Sequence, residues 1–148
     1  MIAVEKIQEK LPQGCAAFIY EDCVIQWLTG FYTDNGLVCL TRDSGWLLTD
    51  GRYTEAASRT VSSVTVQTSS KLTQDALELI RKESIHTIYL EQSNTSLSAF
   101  AMRRKQLEGM ELIVTKDLDT WIADGRAIKS EAETKDLKVA QSITDDGF

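Results

Sequence analysis

Two carboxylates that flank a short pair of predicted strands are the residues of this sequence best suited to do chemistry. Asp34 lies in a polar stretch at residues 29–36, and Asp50 lies in the tetrapeptide Asp50-Gly51-Arg52-Tyr53. Paired carboxylates in neighbouring loops can act as a general acid and a general base. Single aspartates more commonly stabilise their own turns by bonding to nearby backbone groups. The pair alone therefore does not establish catalysis.

A metal site or a cysteine nucleophile finds little support in the sequence. His86 is the single histidine, and no HExxH pattern or glycine-rich phosphate loop is present. A lone histidine at the start of a strand is more often a solvent-exposed strand residue than a ligand. The three cysteines, Cys15, Cys23 and Cys39, show no CxxC spacing, and His86 is the only base available to them. We assign neither a catalytic residue nor a metal ligand to this chain.

Charge and cysteine usage restrict the partners and the compartment. With a formal net charge of -6, the chain lacks the concentrated positive face that nucleic acids and anionic membranes require. No apolar run approaches the ~18 residues of a membrane-spanning helix, and the N-terminal residues do not resemble a signal peptide. The odd number of scattered cysteines indicates reduced thiols and a cytoplasmic protein. The one basic cluster, Arg103-Arg104-Lys105, is expected on a solvated helix face.

The elements that hold the two aspartates form a predicted β-hairpin. Residues 36–41 and 46–49 are short apolar runs, and Asp43-Ser44-Gly45 between them offers a glycine for a positive φ. A buried strand is predicted at residues 15–20, followed by a brief connector or a single helical turn at residues 21–26. Loops held at strand ends by a packed sheet are common positions for binding residues.

The second half of the chain alternates regularly between strands and helices. Strands are predicted at residues 63–68, 87–91 and 111–115, with an amphipathic helix in each interval. This order implies parallel pairing through right-handed crossovers. Joined to the hairpin, it predicts one α/β domain over residues 1–126, with three layers and a mixed β-sheet covered by helices on both faces.

A separate helix is predicted near the end of the chain. Ser130 and Glu133 are spaced as a capping box, so a helix should begin at Glu131. Its apolar residues fall on one stripe, as expected of a helix that packs against a partner. We interpret residues 127–148 as a junction and the first helix of a further folded unit.

Three segments together resemble one enzyme family. They are Leu28-Thr29-Gly30-Phe31, Leu48-Thr49-Asp50-Gly51-Arg52-Tyr53 and Ile128-Lys129-Ser130-Glu131-x-Glu133, in this order. The pattern resembles the N-terminal domain of the Xaa-Pro peptidases, which include aminopeptidase P, prolidase and creatinase. The resemblance implies a ribonuclease-H-like α/β fold over nearly the whole chain. It also implies a C-terminal "pita-bread" domain that begins at the third segment and holds two divalent metal ions, manganese, cobalt or zinc.

The resemblance further implies roles for the two loops and for the partners. In these dimeric enzymes the N-terminal domain helps to form the dimer, and its loops help to wall the active site. The expected partners are the chain's own C-terminal catalytic domain, a second copy in a homodimer, and a proline-containing peptide. The residues so assigned are Phe31, Tyr32 and Asp34 as substrate-loop candidates, and Asp50, Arg52 and Tyr53 as domain-junction candidates.

Two alternatives stay open at this point. Loops in this family vary in length and charge, so the choice between dipeptidase and aminopeptidase specificity is undecided. The alternative function is that of a stand-alone module, which binds a small molecule or a protein and has no peptidase activity. Under the peptidase interpretation, these 148 residues are inactive alone and hold no cofactor, and the native reading frame continues into the metal-binding domain.

Overall fold

The computed structural model describes residues 2–148, which form seven helices and six strands. The helices are α1 (Ala3–Gln8), α2 (Asp22–Thr29), α3 (Gly51–Thr60), α4 (Leu72–Ile80), α5 (Leu97–Gln106), α6 (Lys116–Ala127) and α7 (Glu131–Asp146). The strands are β1 (Cys15–Ile19), β2 (Gly36–Thr41), β3 (Gly45–Thr49), β4 (Thr65–Thr68), β5 (Thr87–Leu90) and β6 (Glu111–Ile113).

All six strands form one mixed sheet in the order β4-β3-β2-β1-β5-β6. Strand β2 pairs antiparallel with β1 and β3, whereas the β3–β4, β1–β5 and β5–β6 pairs are parallel. Five strands therefore run in one direction and end at the same edge of the sheet, which we call the carboxyl edge. Strand β2 runs against them and begins at this edge, with Gly36 opposite Thr49 of β3.

Apolar side chains on the two faces of the sheet form two separate core layers. Alternation along β1 sends Ala17 and Ile19 to one face and Ala16 and Phe18 to the other, and all four are fully buried. Helices α1, α2, α3 and α6 cover the first face, and α4 and α5 cover the second. The predicted three-layer α/β fold with a mixed sheet between helices is confirmed.

The segment before the first loop differs from the prediction. We expected a brief connector or a single helical turn at residues 21–26, but the chain forms the longer, eight-residue helix α2. Val24, Ile25 and Leu28 give α2 an apolar stripe, and its burial against the sheet outweighs the weak local helix signal. Gly30 ends the helix with a φ of 72°, a left-handed conformation that glycine adopts without strain.

The parallel pairing predicted for the second half joins β5 to β6, but β4 pairs in parallel with β3 and not with β5. Strand β4 lies at the far edge of the sheet beside β3, and three strands separate it from β5. The reason is that β3, α3 and β4 form a crossover unit of their own, which extends the sheet outward from the hairpin. Helix α4 then carries the chain back across β3 and β2 on the other face.

Gly45 does not take the positive φ that we predicted for the hairpin turn. It is the first residue of β3, and the positive-φ glycines within residues 2–148 lie elsewhere. A Cβ atom at Gly45 would lie 2.9 Å from Leu40 Cδ2 and 2.9 Å from Val64 Cγ1. Close packing, rather than turn geometry, therefore requires glycine at this position.

Helix α7 begins as predicted and stands apart from the sheet. Ser130 Oγ accepts the Glu133 N–H at 3.2 Å, and Glu133 Oε2 accepts the Ser130 N–H at 2.7 Å, so the capping box is present. No residue of α7, all of which the structure describes, is buried. Leu137, Val139 and Ile143 each expose more than half of their surface. The apolar side of α7 is therefore uncovered by the rest of the described chain.

Candidate functional site

The two polar loops predicted from the sequence meet at the carboxyl edge of the sheet. The first loop, residues 30–35, leads into β2, and the second, residues 50–53, follows β3 and begins α3. Because β2 and β3 pair antiparallel with Gly36 opposite Thr49, the start of one strand adjoins the end of the other. The carboxyl ends of the strands are also the usual position of ligand sites in open α/β sheets.

Arg52 joins the two loops through carboxylates on each of them. Its Nε donates to Asp50 Oδ1 at 3.0 Å and its Nη2 donates to Asp50 Oδ2 at 2.7 Å. The same Nη2 donates to Asp34 Oδ1 at 3.2 Å. Asn35 Nδ2 donates to Asp50 Oδ2 at 2.9 Å. We call Asp34, Asn35, Asp50 and Arg52 the loop cluster, and it unites one substrate-loop candidate with two domain-junction candidates.

Asp50 has a second task, because it is also the N-cap of helix α3. Its Oδ1 accepts the backbone N–H of Arg52 at 2.9 Å. An aspartate side chain at this position satisfies one of the free N–H groups of the first helical turn. The same carboxylate therefore starts the helix and fixes the guanidinium of Arg52, so the orientation of Arg52 is tied to the backbone.

Threonine hydroxyls fix the inner side of the first loop. Thr33 is fully buried, and its Oγ1 lies 2.9 Å from Thr49 Oγ1. Thr49 Oγ1 donates to the Asn35 carbonyl at 2.9 Å, and Thr33 Oγ1 accepts the Asn35 N–H at 3.2 Å. A Cβ atom on Gly36 would lie 2.6 Å from Thr33 Cγ2, so glycine permits this close approach. Strand β3 and Arg52 together hold the loop from two sides.

Aromatic side chains border the loop cluster. The Phe31 and Tyr53 rings pack edge to face, with their centroids 6.2 Å apart. The Arg52 Cζ atom lies 5.1 Å from the centroid of the Tyr53 ring. Tyr32 is 54% exposed and makes no hydrogen bond to any residue that the structure describes. The structure thus brings five of the six predicted residues together, and Tyr32 makes no hydrogen bond, ion pair or ring contact with the other five.

Charge in the loop cluster favours binding over proton transfer. Hydrogen bonds from Arg52 and Asn35 hold the pKa of Asp50 well below its usual range. The Asp50 carboxylate in turn raises the pKa of the Arg52 guanidinium. The side chain of Asp34 raises the pKa of the Tyr53 hydroxyl. A general acid or base needs a pKa near the working pH, and these shifts move Asp50, Arg52 and Tyr53 away from neutrality.

Glu91, a buried glutamate at the carboxyl edge of the sheet, was not predicted from the sequence as a site residue. Glu91 follows β5 and is 1% exposed, and its Oε2 accepts the Tyr20 N–H at 2.8 Å. Its Oε1 accepts the Glu21 N–H at 3.4 Å, so the carboxyl group joins the end of β5 to the β1–α2 turn. Burial raises the pKa of Glu91 to about 7. A charged residue at the end of an apolar strand gives no sequence signal that it is buried.

Arg103 corrects one of our predictions. We expected the Arg103-Arg104-Lys105 cluster on a solvated helix face, but Arg103 is 9% exposed. Its Cζ lies 3.6 Å from the centroid of the Tyr20 ring, and its Nη1 donates to Thr95 Oγ1 at 3.2 Å. The aromatic face and the hydroxyl accept the guanidinium in place of a carboxylate. Arg104 and Lys105 are exposed, so the prediction fails only for Arg103.

The remaining candidates for metal or nucleophilic chemistry lie apart from one another. His86 is exposed and precedes β5, Cys15 and Cys39 are buried, and Cys23 is exposed. Within residues 2–148, no three His, Cys, Asp or Glu side chains are arranged to hold a metal ion. The residues present therefore do not fit the ligand set of a two-metal site, and we assign no step through a metal to them.

The chain is a three-layer α/β domain, and two loops joined by side-chain hydrogen bonds lie at the carboxyl edge of its sheet. The family model of the creatinase/prolidase N-terminal domain matches residues 5–128. The chain therefore belongs to the creatinase/prolidase N-terminal domain family. None of the helices among the described residues is long and apolar enough to cross a membrane.

The proteins that this chain is similar to are named as peptidases. The uncharacterized peptidase YqhT of Bacillus subtilis (strain 168) is 27% identical over 125 residues, which are 84% of this chain and 35% of that protein. The X-Pro aminopeptidase structure from Thermotoga maritima MSB8 matches with a TM-score of 0.79 and 22% identity, over 93% of this chain and 40% of that one. The N-terminal domain of cytoplasmic peptidase PepQ from Mycobacterium tuberculosis H37Rv matches with a TM-score of 0.70 and 18% identity, over 80% and 97% of the two chains.

Proposed function

We propose that this chain is the non-catalytic N-terminal domain of a metal-dependent peptidase that hydrolyses Xaa-Pro bonds. The observation that carries the proposal is the family match over residues 5–128, together with relatives that are named as peptidases. The chain spans 35% of the length of the curated relative, which leaves room in such a protein for a catalytic domain.

The partner of this domain is then its own C-terminal catalytic domain, which holds two divalent metal ions. Helix α7 is the first helix of that domain, and residues 127–148 form the junction. The exposed Leu137, Val139 and Ile143 support this assignment, because an apolar stripe on a helix packs against a partner in a folded protein. Residues 1–126 are the N-terminal domain.

The loop cluster and its aromatic border form part of the wall of the active site. Phe31, Tyr32 and Asp34 face the peptide substrate, and Asp50, Arg52 and Tyr53 brace the loop that carries them. The support is geometric, since Arg52 links Asp34 to Asp50 and the Tyr53 ring contacts the Phe31 ring. The domain also contributes to a homodimer, as the family resemblance implies.

The protein that contains this domain works in the cytoplasm, without nucleic-acid or membrane partners. The three free cysteines support a reducing compartment. The net charge of -6 opposes binding to polyanions.

Capture of the native polypeptide with an antibody against this chain tests the proposal. The captured protein should have a mass well above that of 148 residues and should release proline from an Xaa-Pro dipeptide. A chelator should abolish the activity, and added Mn²⁺ should restore it. A native polypeptide of the same length as this chain, without such activity, would instead favour a stand-alone binding module.

The proposed position of Asp34 in the wall of the active site can be tested by substitution in the native peptidase. Asp34→Asn should change the KM for an Xaa-Pro peptide and leave the metal content unchanged, because Asp34 lies in the substrate wall and not at the metal. Glu55→Gln on α3 is the matched control and should leave KM unchanged, since its carboxylate is also exposed, at 78% against 51% for Asp34. Equal KM values in the Asp34→Asn variant and the parent enzyme would remove Asp34 from the wall.

A further inference from the structure

We propose that Arg52 is a receptor for a carboxylate group of a peptide ligand, and that Asp34 occupies part of its binding edge when no ligand is present. The inference deepens the proposed function, on which its biological meaning rests, by naming the ligand group that the loop cluster recognises. Its physical basis lies in how the two aspartates share one guanidinium.

Asp50 binds the Nε–Nη2 edge of the Arg52 guanidinium through both of its carboxylate oxygens. The Nε and Nη2 atoms of Arg52 donate to the two carboxylate oxygens of Asp50 at 3.0 Å and 2.7 Å. Such bidentate pairs fix both the position and the plane of the guanidinium. Asp50 is itself fixed as the N-cap of α3 and by the amide of Asn35. Arg52 is therefore presented in one orientation, a form of pre-organisation that favours ligand binding.

The outer edge of the guanidinium is available to a second carboxylate. Nη1 of Arg52 makes no hydrogen bond to any residue in the part of the chain that the structure describes. Nη2 uses one of its N–H groups on Asp50 and directs the other to Asp34 Oδ1 at 3.2 Å. An arginine presents five N–H donors in a fork that matches a carboxylate. The Nη1–Nη2 edge therefore matches a ligand carboxylate once Asp34 moves aside.

The Asp34 contact is weak enough to exchange. It is a single hydrogen bond, and the side chains of Arg52 and Asp34 are 65% and 51% exposed. Exposed ion pairs contribute little to stability, so a ligand loses little by displacing one partner. Asp34 is itself a carboxylate, and its position on Nη2 shows that this edge of Arg52 accepts the group. The Asp50 contact, with two bonds and a less exposed carboxylate, stays in place.

The surroundings define the class of ligand. The Tyr53 ring lies 5.1 Å from Arg52 Cζ and packs against Phe31, so an apolar wall adjoins the guanidinium. Two carboxylates within the loop cluster repel a doubly charged phosphate more strongly than a singly charged carboxylate. A peptide carboxylate next to an apolar residue therefore fits better than inorganic phosphate.

An NMR titration of the ¹⁵N-labelled 148-residue chain tests the inference without any catalytic domain. The probe is acetyl-Ala-Pro with a free carboxylate, at low ionic strength, and the readout is the Arg52 Nε–H signal. We expect a saturable shift of this signal with the acid and none with acetyl-Ala-Pro amide. An equal response to the amide would overturn the inference, because the contact would then not depend on the carboxylate.

Three variants sharpen the result. Arg52→Gln should abolish the response of the neighbouring backbone signals. Asp34→Asn should tighten binding about two- to fivefold, since it removes an internal competitor of the strength of an exposed ion pair. Arg81→Gln, which removes an arginine paired with Glu78 on α4, is the control and should change nothing. Weaker or unchanged binding in Asp34→Asn would overturn the internal-competitor role, and equal loss in Arg81→Gln would show non-specific binding.

The outcome separates this inference from the proposed function. Carboxylate binding by this chain, combined with a native protein that lacks peptidase activity, supports the receptor and overturns the peptidase proposal. Peptidase activity in the native protein, combined with no carboxylate response at Arg52, overturns only the receptor.

Discussion

Arg52 lies 18 positions beyond Asp34 in the chain, yet its Nη2 is 3.2 Å from Asp34 Oδ1. The antiparallel β2–β3 pair causes this proximity, because it returns the chain to the edge from which it started. The contact is the only ion pair in residues 2–148 that joins two different loops, as the other three lie within four positions of each other. Together with the bonds that Asn35 and Arg52 donate to Asp50, it makes the two loops a single unit.

Loss of the Asp50 carboxylate should loosen this unit. Asp50→Asn weakens both bonds from Arg52, so amide hydrogen exchange in residues 30–35 should become several-fold faster. Asp34→Asn is the matched control, since it removes one exposed bond and leaves the threonine contacts of the loop intact. Equal exchange rates in the two variants would contradict the claim that Asp50 positions the loop.

Glu91 should make the folded chain less stable as the pH rises. Its pKa is raised from 4.5 to about 7, so the folded chain binds this proton more tightly than the unfolded chain does. The resulting stability is complete below pH 4.5 and is lost as the pH rises through about 7. Tyr20 and Glu21 face the carboxyl group from the β1–α2 turn, and no ion pair to Glu91 is present within residues 2–148.

Urea unfolding from about pH 5 to about pH 8 measures this effect, in the parent chain and in Glu91→Gln. The free energy of unfolding of the parent should fall by up to about 3 kcal/mol more than that of the variant over this window. The variant cannot ionise at residue 91, so it reports the pH dependence of all other groups. Parallel curves for the two proteins would show that Glu91 does not titrate in this range.

Arg103 and its neighbour offer a second matched pair. Arg103→Ala should lower the free energy of unfolding by about 2 kcal/mol, because it removes the contact with the Tyr20 ring and the buried aliphatic stem. Arg104→Ala lies next to it on the exposed face and should change stability by less than about 0.5 kcal/mol. Equal effects from the two substitutions would mean that the burial of Arg103 contributes nothing.

Removal of α7 should leave the domain intact. A chain that ends at residue 126 loses no buried residue of α7, so its thermal midpoint should match that of the full chain. Circular dichroism should show only the loss of one helix, and light scattering should report whether α7 joins two copies. A markedly lower midpoint in the shortened chain would show that α7 packs on the domain.

Local patterns predicted much of this fold because the signals were short-range. The capping box of Ser130 and Glu133 and the hairpin strands depend on neighbouring residues, and each lies where the pattern indicates. The length of helix α2 was underestimated because its stability comes from burial of Val24 and Leu28 against the sheet. The position of β4 beside β3 was also missed, since strand order depends on contacts between distant segments.

In the candidate site, too, the residue types were predictable from the sequence, whereas the contacts between distant residues were not. Asp34, Asp50 and Arg52 were identified from residue type and loop position, but nothing in their spacing showed that one guanidinium contacts both carboxylates. Glu91 and Arg103 gave no signal at all. Their burial follows from the way β5 and α5 pack around Tyr20, which only the three-dimensional structure shows.

The central claim is that this chain supplies a complete scaffold and a loop wall, while hydrolysis requires groups outside residues 2–148. The most direct measurement is proline release from an Xaa-Pro dipeptide by the purified 148-residue chain, with Mn²⁺ and with a chelator. We expect no release above the buffer blank in either condition. Mn²⁺-dependent release that co-purifies with the chain and disappears with the chelator would contradict the claim.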